Sequence, residues 1–372
     1  MKSFARLVLG TTAATYFLIV LGGVVRATGS GLACPDWPLC HGRLIPPLEG
    51  PILIEYSHRL VASVVGLLTG AVALQTWRLR DARPLRGLSI LALLLVGVQI
   101  LLGGLTVRTE LSEWIVVAHL GTAMAFFATL TILSARAMIG TGKSVSSGDT
   151  TRGFRRLAVL TACATYLLVL IGGYVSASGA GLACPDWPLC TGELLPPLSG
   201  AVGIHVLHRL AAAFVSVLIV ATTIAAYRIH RQPLLQAASA IATGLLVLQI
   251  ILGALNIEYR LAPGATTAHL ANAAALFATL IALAVLAFKV PEPLAPLPKP
   301  LLPEGRGVAR ILDYVSLTKP RIIVLLLVTT GAAMLVAAPG VVSPWVILST
   351  LIGGALASGS AGVINQILER DI

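Results

Sequence analysis

The sequence predicts an all-α integral membrane protein: two parallel, pseudo-repeated four-helix bundles of eight transmembrane helices, followed by two further transmembrane helices. Three observations carry that prediction. The 372 residues are 57% hydrophobic and 11% charged, with a mean hydropathy of +0.92, whereas a soluble domain has roughly a quarter of its residues charged. Ten apolar stretches come near the roughly 20 residues that one spanning helix needs: about 8–27, 60–77, 87–107, 115–135, 157–177, 207–226, 235–255, 267–288, 322–339 and 344–364. The stretch Gly29–Cys40, GSGLACPDWPLC, returns as Gly179–Cys190, GAGLACPDWPLC, with 11 of 12 positions identical. The same offset of 150 residues aligns His58 with His208, Gln99 with Gln249, Gly103 with Gly253 and His119 with His269. An even number of spans per unit returns the chain to its starting side, so the repeats are parallel.

The first span, behind Lys2 and Arg6, has the outline of a signal peptide. Its counterpart at 157–177 is internal, so the span is expected to be retained. The loop that follows, to about Ser57, carries Pro35, Pro38, Pro46, Pro47 and Pro51, which deny it a long helix. Its copy, 179–204, keeps Pro185, Pro188, Pro196 and Pro197, so a structured cap is expected at both places, with Trp37 and Trp187 suited to the membrane interface. Helix two is expected to open with Glu55, His58 and Arg59 in IEYSHRL, and helix four to carry His119 one turn in, in VVAHLGTAM. The second half has His205 and His208 in IHVLHRL and His269 in TTAHLANAA, so Glu55 is replaced by His205. Gly22, Gly23, Gly103, Gly104, Gly172, Gly173 and Gly253 provide small surfaces for a close approach of helices or of a flat ligand. The expected divisions are a first repeat at 1–140, a linker at 141–156, a second repeat at 157–290, a Pro-rich linker at 291–309 and a distinct segment at 310–372.

The net charge of +11 forms no basic stripe with interleaved aromatics, which argues against nucleic acid as a partner. Lys2, Arg6, Arg78, Arg80, Arg83, Arg86, Arg136, Lys143, Arg152, Arg155, Arg156, Arg228 and Arg231 instead flank one side of the spans. By the positive-inside rule the N-terminus is cytoplasmic and the two Cys loops are extracytoplasmic. Cys34, Cys40, Cys184 and Cys190 all fall in those loops. An oxidising compartment and a five-residue spacer favour Cys34–Cys40 and Cys184–Cys190 disulfides. Free thiols or a zinc site are the rivals, although each loop lacks the fuller Cys/His set of a structural zinc site. Cys163, inside an apolar helix, reads as small core filler, and His41 and His230, without repeat partners, read as solvent-exposed.

Ionisable groups within spanning helices are expensive and are functional candidates by default. Two imidazoles at matched depth on alternate helices can ligate one metal from opposite sides, the geometry of a six-coordinate haem iron. The rival is a single metal without a porphyrin, for which no carboxylate-rich set stands nearby. Arg59 and Arg209, next to the ligand histidines, are candidates to fork onto haem propionates or, alternatively, to snorkel to the interface.

The EYSHR and AHLG elements, the CPDWPLC loops and the duplication together resemble the haem A synthase family over about residues 1–290. The resemblance implies oxidation of a methyl group of haem O to a formyl group, giving haem A for terminal oxidase assembly, in a bacterial-type cytoplasmic membrane. It implies a haem b cofactor on His208 and His269, substrate haem O on His58 and His119, and an essential role for Glu55 beside the substrate. A carboxylate held there could take a proton or orient water as charge develops on the oxidised carbon. The partners implied are haem O, membrane lipid and an electron acceptor of unknown identity. A dihaem electron-transfer protein is the alternative that uses the same four histidines, and a transporter with parallel repeats would leave their matched depth without a reason.

The segment 310–372 resembles the beginning of the protohaem farnesyltransferase (haem O synthase) family in LTKPR at 317–321 and NQILERD at 365–371. The second matches the start of an acidic motif that binds magnesium diphosphate in that family. The rest of that motif and the second motif are absent, so the segment is expected to be a truncated prenyltransferase domain without activity. A haem O synthase module, in cis or in trans, is the partner this implies.

Overall fold

A computed structural model describes residues 2–139, 149–193, 196–229 and 232–288, with scattered helical residues between 323 and 360. Lys143, His230, Arg231, the Pro-rich linker and the motifs at 317–321 and 365–371 lie outside the described residues. The chain divides into one unit of Met1–Ala295 and another of Pro296–Ile372. In the second unit the described helical residues fall within the spans predicted at 322–339 and 344–364. A Cβ placed on Gly354 would lie 3.4 Å from Leu327 Cδ2, so these two segments face each other.

The regular structure of the first unit is helical among the described residues. Its long helices are α1 (Lys2–Ala27), α2 (Gly50–Arg78), α3 (Arg86–Arg108), α4 (Glu113–Ile139), α5 (Asp149–Ala177), α6 (Gly200–Ile229), α7 (Pro233–Glu258) and α8 (Pro263–Ala287). All eight are long and apolar enough to cross a membrane; the chain is a multi-pass membrane protein. Proline stands in the first turn of α2, α7 and α8, where its missing N–H costs nothing.

The helices start earlier than hydropathy suggests. Helix α2 opens at Gly50 and α6 at Gly200, so His58 and His208 lie about two turns inside their helices and not at the entrance. Helix α5 takes in residues 149–156, expected as linker. The cause is the same in each case: polar residues end an apolar window without ending a helix. Arg155, for example, is buried and donates from Nε to the Ala287 carbonyl at 2.9 Å. Cys163 is exposed on α5 and is not core filler.

Helices α1 to α4 close a ring of neighbours, α1 on α2, α2 on α3, α3 on α4 and α4 on α1, and α5 to α8 close a second ring in the same order. The rings meet where α1 touches α8 and α4 touches both α5 and α8. That seam is reciprocal. Tyr16 donates to the Ala271 carbonyl at 3.3 Å, and its equivalent Tyr166 donates to the Gly121 carbonyl at 3.1 Å. A Cβ on Gly23 would lie 2.9 Å from Leu270 Cδ2, and one on the equivalent Gly173 2.6 Å from Leu120 Cδ2. Arg26 donates to the carbonyl of Ser176, its own equivalent, at 2.7 Å, so matching positions stand at the same level and the repeats run parallel.

Tyr166→Phe removes one bond across the seam and is expected to lower stability by about 0.6 kcal/mol, the average for hydrogen bonds between membrane helices. Tyr16→Phe is expected to cost as much, and the double variant the sum, because the two bonds share no partner. Unfolding midpoints in mixed detergent check this; no shift in any of the three would remove these bonds from the account of the seam.

Candidate functional site

Both Cys loops and all four aligned histidines lie toward the same end of the bundles, the end at which α1, α3, α5 and α7 finish. Each loop begins with a short 3-10 turn, Ser30–Leu32 or Ala180–Leu182, and is closed by a disulfide, Cys34–Cys40 or Cys184–Cys190. The turn rests on a tight helix connection. Leu111 and Leu261 adopt positive φ, with Leu111 N–H donating to Thr106 and Leu261 N–H to Asn256, each at 2.8 Å. These i to i−5 bonds satisfy carbonyls left open at the ends of α3 and α7. The leucine side chains then meet the loops at Gly31 and Gly181.

An arginine from the following helix holds each loop. Arg59 donates from Nη1 to the carbonyls of Asp36 at 2.8 Å and Leu39 at 2.7 Å, and from Nη2 to that of Cys34 at 2.9 Å. Arg209 repeats this with the carbonyls of Leu189 at 2.6 Å, Asp186 at 2.8 Å, and Pro188 and Cys184 at 3.2 Å. The terminal guanidinium nitrogens of both arginines are engaged by backbone carbonyls, and Arg59 Nη2 also by Glu55. A planar guanidinium can bridge several carbonyls at once, which a sequence pattern does not distinguish from anion binding.

The halves differ beneath the loops. Glu55 is buried, accepts the Cys34 N–H at 2.7 Å on Oε2, and forms an ion pair with Arg59 at 2.5 Å on Oε1. In its place His205, also buried, shares a hydrogen bond from Nδ1 to the Ala180 carbonyl at 3.1 Å. Asp36 braces the first loop, accepting N–H groups from His41 at 2.6 Å and Gly42 at 2.8 Å. His41 is exposed, as its lack of a repeat partner suggests, with its ring on the Ala33 carbonyl. Trp37 lies against Gly104, where a Cβ would meet its ring at 2.9 Å; the second half has Ala254 there, and Trp187 is 52% exposed against 37% for Trp37.

Each of the four histidines lies against a repeat-related glycine. Cβ atoms built on Gly22, Gly103, Gly172 and Gly253 would stand 3.1, 3.3, 3.0 and 3.4 Å from Cε1 of His58, His119, His208 and His269 respectively. A Cβ at Gly22, Gly103 or Gly172 would require the ring to give by a few tenths of an ångström, and at Gly253 it would be in ordinary contact. In all four rings Nδ1 is buried without a hydrogen-bond partner. His58 and His119 are within electrostatic reach of one another, as are His208 and His269. Gln99 Nε2 meets His119 Nε2 at 3.2 Å and Gln249 Nε2 meets His269 Nε2 at 3.1 Å. Among the described residues no three His, Cys, Asp or Glu side chains gather into a metal cluster, so each half offers a pair of imidazoles and nothing more. A pair of imidazoles in an apolar bundle is the donor set of a bis-histidine haem and is too few for a stripped metal ion. The glutamines aligned in sequence without disclosing a role, and Asn272, which supports Gln249, had no signal because it has no repeat partner.

The family model described as cytochrome oxidase assembly protein, COX15-CtaA, matches residues 5–51 and 49–281. The chain is 31% identical over 306 residues to the heme A synthase of Geobacillus thermodenitrificans, covering 80% of this chain and 94% of that protein. It is 33% identical over 264 residues to the heme A synthase of Symbiobacterium thermophilum, covering 68% and 86%. It is 33% identical over 224 residues to the heme A synthase of Shouchella clausii, covering 59% and 74%.

The loop geometry makes its own prediction. Gly42 N–H, with His41 N–H, holds the Asp36 carboxyl below its ordinary value of 3.8. A carboxyl that titrates lower in the folded state stabilises above the unfolded value and loses that contribution as pH falls through the folded one. Resistance of residues 29–49 to pepsin is therefore expected to persist down to pH 3.8 and to fail only below it. Arg59→Lys, which cannot bridge three carbonyls, is expected to be cut several-fold faster at every pH; equal cleavage would exclude Arg59 as the anchor.

Proposed function

The chain belongs to the COX15-CtaA family of cytochrome oxidase assembly proteins, and on that premise we propose that it is a haem A synthase, a membrane oxidoreductase that converts a methyl group of haem O to a formyl group. The observation that carries this reading is the repeated pair of glycine-backed imidazoles, with a buried carboxylate beside only one of the two pairs.

His208 and His269 are assigned to a resident haem b and His58 and His119 to the substrate haem O. The fit rests on the rings themselves. Each half offers two buried imidazoles, and a haem iron would be held by one nitrogen of each, at His119 and His269 the Nε2 that now faces a glutamine amide. Haem b, when bound, supplies a carrier for the electrons removed from the substrate. The glycines at 22, 103, 172 and 253 let the ligand helices approach and fix the ring planes.

Glu55 is the group assigned to the chemistry. Arg59 and the Cys34 N–H hold its carboxylate in place on α2, one turn before His58. A carboxylate there can accept the proton lost as the methyl carbon is oxidised, or orient water toward it. Arg59 and Arg209 are assigned to loop anchoring, and His205 to the same task in the cofactor half. The loops close the outer ends of the bundles against water, which strengthens electrostatic interactions inside.

The disulfides support an extracytoplasmic location for the loops and, with the distribution of Lys and Arg, a cytoplasmic N-terminus in a bacterial-type cytoplasmic membrane. The LTKPR and NQILERD motifs, outside the segments that the family model matches, support reading residues 310–372 as a segment related to haem O synthase.

Glu55→Ala is expected to leave the protein loaded with haem but without haem A, as read from porphyrins extracted from the purified protein. Normal haem A in that variant would remove Glu55 from the reaction. His208→Ala is expected to abolish the low-spin haem b spectrum more completely than His58→Ala; equal loss would overturn the division of the two halves. Extracted haem b with haem O or haem A supports synthesis, whereas haem b alone would favour electron transfer between two resident haems.

A further inference from the structure

Gln99 on α3 and Gln249 on α7 occupy equivalent positions, each with its amide nitrogen on the imidazole of the following helix, yet their hydrogen bonding differs. Gln249 is held at both ends. Its Nε2 donates to His269 Nε2 and to the His269 carbonyl, both at 3.1 Å, and its Oε1 accepts from Asn272 Nδ2 at 2.7 Å. The same Nδ2 donates to the Leu245 carbonyl at 2.9 Å, which sets the orientation of both amides. Because Gln249 then presents N–H to His269, the facing ring nitrogen is the lone pair that an iron would take. Gln99 has one bond, to His119 Nε2 at 3.2 Å, and its Oε1 is buried without a partner. The difference traces to one position, since Thr122 stands where the second half has Asn272.

Ligation widens the difference. A haem iron at His269 Nε2 would take the lone pair that Gln249 now faces, and Gln249 would still have Asn272 beside it as a partner for its Oε1. At His119 Nε2 it would take the one hydrogen-bond partner of Gln99, whose Oε1 already has none. Such an amide is a binding group waiting for a partner, because leaving it unpaired costs the desolvation of its polar atoms.

We propose that Gln99 is a substrate-contacting, specificity-determining residue of the first half, whose Oε1 accepts a hydrogen bond from an alcohol carried by the bound porphyrin. The inference rests on the assignment of haem O to His58 and His119. An alcohol can come from two places: haem O bears one on its isoprenoid side arm, and a methyl carbon on its way to a formyl passes through the alcohol oxidation state. Haem b has neither, and it is assigned to the half whose glutamine oxygen already has a donor in Asn272. Asn272 is the positioning residue that closes that acceptor off.

Two variants test this in the full-length protein in detergent, by titration with haem O and with added haem b and by identification of extracted products. Gln99→Leu removes the acceptor; Thr122→Asn leaves it in place and installs the group that occupies it in the second half. Retention of the resident low-spin haem b spectrum shows that each variant is folded, and Thr122→Asn keeps the test alive if Gln99→Leu is not. If the side-arm alcohol is the donor, both variants weaken haem O binding roughly tenfold and leave haem b binding alone, the loss of one buried hydrogen bond. If the alcohol formed on the ring is the donor, haem O binds normally and a porphyrin at the alcohol level is released in place of haem A. Unchanged binding with unchanged products, or equal weakening for haem O and haem b, overturns the proposal. A wild-type protein that neither binds haem O nor forms haem A would instead overturn the functional reading on which it rests.

Discussion

An imidazole inside an apolar bundle has two nitrogens to satisfy and almost nothing to satisfy them with, and the rest of this structure follows from that constraint. Each of the four rings is pressed edge-on against a glycine of the neighbouring helix, with Nδ1 buried and unpaired. A folded chain that kept four such groups for no purpose would carry a heavy desolvation penalty. The glycines bring the helices close enough to clamp the rings, and the clamped rings keep Nδ1 without a protein partner. Packing and ligand readiness are here one property described twice.

The loops answer a different constraint, the cost of ordering irregular chain at a membrane boundary. Two disulfides close small rings, and an arginine rising from α2 or α6 gathers three or four loop carbonyls onto one planar group. The position one turn before the histidine then completes the anchoring, by Glu55 through the Cys34 N–H in one half and by His205 through the Ala180 carbonyl in the other. The same backbone frame thus tolerates an acceptor of N–H groups or a partner for a carbonyl, and the choice decides whether a carboxylate lies buried near the imidazoles. Glu55 therefore has two duties, so a variant there tests chemistry cleanly only if the loop is shown to stay closed.

Much of this was legible in the sequence. The eight spans of the two bundles, the parallel repeats and the histidine pairs follow from hydropathy and an offset of 150 residues, because both are long-range regularities that no local substitution hides. The disulfide pairing followed from compartment and spacing. Helix starts were misjudged at Gly50, Asp149 and Gly200, since hydropathy reports the lipid-facing portion of a helix and hydrogen bonding extends beyond it. Cys163 was misplaced because an apolar membrane helix presents similar residues to lipid and to core. The direction of Arg59 and Arg209, into the loops, and the support of Gln249 by Asn272 depend on contacts between elements that are 20 or more residues apart and leave no periodic trace.

The reciprocal seam between the bundles has the form of an isologous interface, the kind made when a subunit pairs with its own copy across a two-fold axis. Tyr16 and Tyr166, Gly23 and Gly173, and Leu120 and Leu270 are the same residue at both ends of each contact; at Gly121 and Ala271, where the halves differ, the seam uses only a backbone carbonyl, while Arg26, whose equivalent is Ser176, adds a contact made in one direction. A change in such a face must be matched by its counterpart, whereas a change at a loop or inside one bundle is felt by that half alone. The differences that separate the halves, Glu55 from His205, Gly104 from Ala254 and Thr122 from Asn272, involve none of the side chains in those paired contacts. Symmetry at the joint is what leaves each half at liberty to specialise elsewhere.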